Sequence, residues 1–141
     1  MVNPKINNEI KNLVDDFSTF DNWEEKYSYI IDLGKKLPKL SEEDKIEENK
    51  VSGCVSQVWL ITKKEGDKYY FRADSDAFIV KGLIFIVLKL FSEKTKEEIL
   101  TVDFEKVFDM LDMKNHISQS RSNGIFSVVK KIKETAESNN L

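Results

Sequence analysis

The segment from Ala77 to Phe91 is the longest apolar stretch of the chain, broken only by Lys81, Gly82 and Lys89. Crossing a bilayer takes about 20 apolar residues, so this stretch is too short to span one. A helix that is apolar nearly all round must instead be buried on most of its surface. Whatever else the chain forms has to be arranged around it. The triplet Asp74-Ser75-Asp76 just ahead of it reads as its N-terminal cap.

The flanking segments supply the cover. Asn3-Pro4 reads as a cap followed by proline at the first helical position, and Ile6, Ile10, Leu13, Val14 and Phe17 recur at helical spacing. Asp21 and Glu24 have the spacing of a capping box for a second helix, whose apolar face is Trp23, Tyr27, Ile30, Ile31 and Leu37 and which Pro38 ends. Residues 39–50 are charged and read as a solvated connection, or as a surface for docking a partner.

From Val51 the period changes. Val58, Leu60 and Thr62 alternate with Trp59 and Ile61, which predicts a strand. Glu65-Gly66-Asp67 is a turn signal, and the aromatic run Tyr69-Tyr70-Phe71 predicts the returning strand. A third strand is expected from the segment around Ile46 to Val51. Beyond the apolar helix, Thr95 and Glu98 form another capping box for a short helix near Lys96 to Leu100. Phe104, Val107, Phe108 and Leu111 suggest a further turn or two. Ser122 is the expected cap of a last helix with Ile125, Val128, Val129, Ile132 and Ala136 on its face, and Glu137 to Leu141 are expected to fray. The fold class is α+β: one small antiparallel sheet covered by helices, in a single domain spanning residues 1–141.

Charge narrows the partners. Lys and Arg alternate with Asp and Glu, and the net charge is −3. No basic stripe exists to hold a phosphate backbone, which disfavours nucleic acid. The N-terminus carries neither an apolar signal core nor an Arg-rich transit segment. With one cysteine, Cys54, and no export signal, a reducing cytoplasmic setting is expected, with no membrane association.

A lone cysteine makes no internal disulfide and does not by itself hold a zinc ion or an iron–sulfur cluster. It can still carry a group on its sulfur. A carried sulfur atom suits it well, because a second thiol nearby would close a disulfide and expel the cargo as sulfide. Cys54 lies in the polar run Ser52-Gly53-Cys54-Val55-Ser56-Gln57, at a loop-to-strand junction. Gly53 gives the backbone freedom beside the sulfur. A free thiol is only a few per cent thiolate at neutral pH, so a nearby cation would help, and Arg121 and His116 are the candidates. Taken alone, Arg121 and His116 also suit surface or capping roles, and Asp76 suits a helix cap. No metal-ligand spacing, phosphate loop or cofactor motif is present, so no metal or cofactor is expected.

Several segments together resemble the SufE family. They are Asn22-Trp23-Glu24-Glu25-Lys26-Tyr27, Ile31-Asp32-Leu33-Gly34 with Leu37-Pro38, Gly53-Cys54-Val55-Ser56-Gln57-Val58-Trp59, Asp74-Ser75-Asp76-Ala77, Val80-Lys81-Gly82-Leu83 and Ser120-Arg121-Ser122-Asn123-Gly124. The chain departs from the family at Val55, where glutamine is usual, and at Ala73, where glycine is frequent. The resemblance implies the fold of the U-type iron–sulfur scaffolds. It implies that Cys54 accepts sulfane sulfur from the persulfide of a cysteine desulfurase, a pyridoxal-phosphate enzyme of the SufS or CsdA kind. The chain would thereby stimulate the desulfurase and pass the sulfur to an iron–sulfur scaffold complex. The resemblance also links Arg121 and Asp76 to the cysteine loop or to the desulfurase contact. Such a protein is a sulfurtransferase component that acts with its desulfurase. The alternative is a docking activator in which Cys54 is dispensable. A homodimer is left open.

Overall fold

In the computed structural model, residues 4–138 are described. Asn3, the expected first cap, and residues 139–141 of the tail lie outside them. The chain runs α1 (Pro4–Ser18), α2 (Trp23–Gly34), β1 (Val58–Glu65), β2 (Lys68–Ser75), α3 (Phe78–Phe91), β3 (Lys94–Thr95), α4 (Lys96–Thr101), α5 (Phe104–Met110) and α6 (Gln119–Ser138). The three strands form one antiparallel sheet in the order β1-β2-β3. The α+β class expected from the sequence is the class found.

β1 and β2 pair from Val58 opposite Ser75 to Glu65 opposite Lys68, leaving Gly66-Asp67 as a two-residue turn. Gly66 has φ 61°, the left-handed conformation a tight hairpin demands at its first central position. The register sets which end of the hairpin carries which residues. The Val58 end lies beside the Cys54 loop, and the Gly66 end points away from it.

α3 is the centre of the molecule. Ile84, Val87, Leu90 and Phe91 are fully buried, and α3 packs against α1, α2, α6 and β2. Each such side chain contributes about 1.5–3 kcal/mol of burial free energy. α2 reaches α3 across an unusually short gap: a Cβ built on Gly82 would lie 1.9 Å from the Ile30 carbonyl oxygen. Gly34 sits at the same crossing, and its own Cβ would lie 2.7 Å from the Gly82 nitrogen. Phe104 and Phe108 pack edge-on against Phe126 of α6 and close the far side of the core.

Several local expectations are corrected. The Ile46–Val51 segment forms no strand of the sheet: Glu47–Asn49 is a 3₁₀ turn, and only Lys50 bridges to Trp59. The third strand is instead Lys94–Thr95, paired with the start of β2. The cap of α2 is Asn22, whose side chain accepts a hydrogen bond from the Glu25 N–H. That helix ends at Gly34, and three tight i→i−3 turns carry the chain on to Leu37 before Pro38.

Asp74-Ser75-Asp76 does not cap α3; the N-cap is Ala77, with no side-chain capping bond. Asp74 closes β2 with its side chain 4% exposed, 3.6 Å from both Lys45 and Lys81. It also accepts from the Ser75 N–H at 2.8 Å and the Leu40 N–H at 3.4 Å. A buried carboxylate needs such partners, and tertiary pairing wins over capping. The 39–50 segment is therefore only partly solvated, because Lys45 and Leu40 tie it to this corner. The Thr95–Glu98 capping box forms as expected. α6 begins one turn earlier than expected: Ser118 accepts from the Arg121 N–H, and Ser122 is buried inside the helix.

Candidate functional site

The loop between residues 51 and 57 is fixed at both ends. Val51 N–H donates to the Val58 carbonyl at 2.9 Å. At the other end, Gln57 is clamped to the β2–α3 corner. Its N–H donates to Asp76 Oδ1 at 3.1 Å, and its carbonyl accepts from Ser75 Oγ at 2.7 Å and from the Asp76 N–H at 3.3 Å. Asp76 thus holds the backbone of Gln57 with its carboxylate and its own N–H instead of capping a helix.

Between these anchors Gly53 turns the chain at φ 88°. The positive φ favours glycine, and a Cβ there would lie 2.6 Å from Ser127 Oγ of α6 and have to push that hydroxyl aside. The turn lays Cys54 against α6. Its thiol donates to the Gly124 carbonyl at 3.4 Å, and the Gly124 Cα faces Cys54 at van der Waals range.

Cys54 is half-buried and opens into a cavity of about 380 Å³. The lining comes from four parts of the fold: Val55 and Ser56 of the loop, Val58 of β1, Val80 of α3, and Ser118, Ser120, Arg121, Gly124 and Ile125 at the start of α6. A recess of similar size, about 400 Å³ between α1 and the α4–α5 region, has Ile10, Val14, Val107 and Met110 in its lining and no cysteine or histidine. Among the described residues, no cluster of three or more His, Cys, Asp or Glu side chains could hold a metal ion. No described helix is long and apolar enough to cross a membrane.

The supporting residues divide. Arg121 lines the cavity, and its guanidinium donates to Tyr27 Oη at 2.7 Å, which ties α6 to α2. His116 is not in the lining. It stacks on Trp23 with ring centroids 4.4 Å apart, and its Nδ1 lies 3.0 Å from the Asp112 carbonyl oxygen. The expectation of a cation holding the thiolate is not matched by the electrostatics: burial pushes the Cys54 pKa up. The closed thiol is therefore the protonated, hydrogen-bonded form. The sequence suggested no role at the site for Tyr27, Ser118 or the Gly124 carbonyl. The run from Ser118 to Gly124 is dense in hydroxyls and ends in glycine, a hint, beside the family resemblance of Ser120 to Gly124, that this turn faces something closely.

The arrangement defines a class: a three-stranded antiparallel sheet wrapped by helices, presenting one thiol over the first turns of a long helix. The same fold occurs in the solution structure of a hypothetical protein from Thermus thermophilus. That likeness has a TM-score of 0.76 over 98% of this chain and 97% of that one, at 16% identity. Residues 11–136 match the model of the SufE family, an Fe-S metabolism associated domain. An uncharacterized SufE-like protein of Rhizobium etli is 46% identical over 89% of this chain and 87% of its own length. Another, of Rhizobium meliloti, is 44% identical over 89% of this chain and 92% of its own. The chain belongs to the SufE family, and its role lies in iron–sulfur metabolism.

Proposed function

We propose that the chain takes sulfane sulfur from the persulfide of a cysteine desulfurase onto Cys54, speeds that enzyme's turnover, and delivers the sulfur to an iron–sulfur scaffold complex. The observation that carries this reading is the lone Cys54 thiol, half-buried at a cavity mouth on a glycine turn.

The step balances without a cofactor on this chain. Cys54 Sγ attacks the outer sulfur of the donor persulfide and a new S–S bond forms. The bond between that sulfur and the donor cysteine breaks, and its electron pair leaves on the donor sulfur. The proton held by the Cys54 thiol ends on the departing donor thiolate. Cys54 then holds the persulfide, and no second cysteine of this chain competes for it.

The geometry suits a carrier that is inert while closed. Burial and the Gly124 carbonyl favour the neutral thiol, which is a poor nucleophile. Moving the loop toward a partner takes the sulfur out of that setting and frees the thiolate. Gly53 supplies the backbone freedom for this motion, while the clamps at Val51 and Gln57 confine it to the residues between them.

The test mixes the protein with a cysteine desulfurase, pyridoxal phosphate and L-cysteine, and reads intact mass without reductant. A mass gain of one sulfur atom in the wild type, absent from Cys54→Ser, is expected. An unloaded wild type refutes the proposal. Full stimulation by Cys54→Ala with a separate thiol acceptor present would replace it with activation by docking alone.

A further inference from the structure

α1 carries more apolar surface than the core covers. Ile6, Leu13 and Phe17 are 5% exposed or less, whereas Ile10 and Val14 of the same stripe are only half-buried. Both line the recess of about 400 Å³ that separates α1 from the α4–α5 turn. The facing wall is apolar too. Val102 and Val107 belong to it, each 2% exposed or less, and Met110, 48% exposed, extends it. Contacts made elsewhere hold this wall in place. The Val102 carbonyl accepts from Lys133 Nζ of α6 at 2.6 Å, and Asp103 caps α5. The recess is therefore formed before anything enters it, and its volume lies within the range of small-molecule sites, about 300–1,000 Å³.

The polar part of the lining decides what kind of molecule fits. Lys11 of α1 and Lys106 of α5 bring two ammonium groups from the two walls. Both side chains are exposed, and neither belongs to an ion pair among the described residues. Asp103 is the one acid of the lining, and its Oδ1 already accepts from the Lys106 N–H at 3.1 Å. The site thus offers two unpaired cations and one engaged carboxylate around an apolar floor. A hydrocarbon chain suits the floor, and a negative head suits the lysines. A cationic head would meet like charge, and a neutral one would forgo the attraction. A bilayer is a poorer match, because it presents a plane to a concave site and an anionic leaflet repels a chain of net charge −3.

We propose that this recess binds a small alkyl carboxylate, with the chain against Ile10, Val14, Val107 and Met110 and the carboxylate between Lys11 and Lys106. Burial of the chain supplies most of the affinity, and the exposed lysines supply orientation and the choice of head group. The recess shares no lining residue with the Cys54 cavity. The proposal therefore stands apart from the sulfur-acceptor reading, and either can fail without the other.

The probe is decanoate, titrated into the full chain and followed by amide chemical shifts in NMR. Decylamine is the control, with the same chain and the opposite charge. Decanoate should bind saturably, one per chain, with shifts concentrated in α1 and the α4–α5 turn, and should raise the thermal midpoint as its concentration passes Kd. Decylamine should bind about tenfold more weakly or worse. Replacing both lysines, Lys11→Gln with Lys106→Gln, should weaken decanoate about tenfold. Val14→Phe, which fills the recess, should abolish its binding. Thermal unfolding of each variant without ligand checks the fold, and if Val14→Phe does not fold, the lysine variant decides alone. Shifts that are absent at millimolar decanoate, or scattered over the surface, overturn the proposal. So does equal affinity for decylamine, or a lysine variant that binds decanoate like the wild type. Capture by phosphatidylglycerol vesicles without decanoate binding in solution also overturns it, by assigning the lysines and the apolar patch to a lipid surface.

Discussion

Gly82→Ala is the most direct test of how α3 is seated. The added Cβ would lie 1.9 Å from the Ile30 carbonyl oxygen and 2.6 Å from both the Ile30 carbonyl carbon and its Cγ2. Two of these atoms are backbone, so no side-chain rotation relieves the clash. α2 and α3 must separate by about 1 Å or more at their crossing, which opens voids along a close-packed face. Overpacking of this kind costs about 1–3 kcal/mol and occasionally more. Helix propensity returns about 1 kcal/mol when alanine replaces glycine. A clash this deep belongs at or above the upper end, so the net loss is about 2–3 kcal/mol. For a chain of 141 residues that corresponds to a fall in Tm of about 10 °C. Urea and thermal unfolding followed by circular dichroism measure it. Gly66→Ala is the control: nothing lies within 4 Å of its Cβ, and only the positive φ opposes the change, at about 1 kcal/mol. If Gly82→Ala is neutral or stabilising, or costs less than Gly66→Ala, the close helix crossing is refuted.

Three further outcomes are expected. Asp74→Asn leaves Lys45 and Lys81 without their shared carboxylate and should cost about 3 kcal/mol in urea unfolding; a loss under 1 kcal/mol would mean the two lysines are already satisfied by water. Cys54 should be alkylated by iodoacetamide more slowly at pH 7 than in a denatured control, with its rate profile displaced to higher pH, and a profile displaced to lower pH would contradict the buried thiol. Because its folded pKa is raised, the thiol's contribution to stability is complete below the unfolded pKa of about 8.5 and is lost as pH rises through the folded value. Gly53→Ala combines a disfavoured φ with a Cβ 2.6 Å from Ser127 Oγ, both in the resting loop, so that position should weaken and alkylation of Cys54 at pH 7 should quicken about tenfold, the equivalent of about 1.4 kcal/mol of loop strain; unchanged alkylation would free Gly53 of its role.

The elements legible in the sequence are those that carry their own period or local chemistry. α3 announces itself by burial on most faces, the hairpin by alternation around Gly66, and α4 by the reciprocal bonds of Thr95 and Glu98. The errors fall where a distant partner decides. A two-residue strand at Lys94–Thr95 has no period to detect, and it exists because β2 offers it an edge. Asp74 looks like a cap until two lysines from other segments claim it. Ser118 and Ser122 are four residues apart, and only the packing of Ser122 inside the helix decides which one starts it. At the site, Cys54 and Gly53 were readable from composition and conformational freedom. Whether Arg121 or His116 reached the cavity was not, since His116 lies in the turn before α6 and Arg121 in the first turn of that helix. The stack on Trp23 takes His116 elsewhere.

The Gly124 carbonyl does one thing for an empty Cys54 that it cannot do for a loaded one. It accepts the proton of a neutral thiol at 3.4 Å. On the sulfur-acceptor reading, the loaded residue ends in a deprotonated outer sulfur, which has no hydrogen to offer and faces a carbonyl dipole of the wrong sign. The helix that shelters the vacant carrier therefore favours the vacant carrier, and occupancy itself changes how firmly the loop is held. On that reading such a pocket would report its own filling, the empty carrier held shut and the full one released toward its recipient.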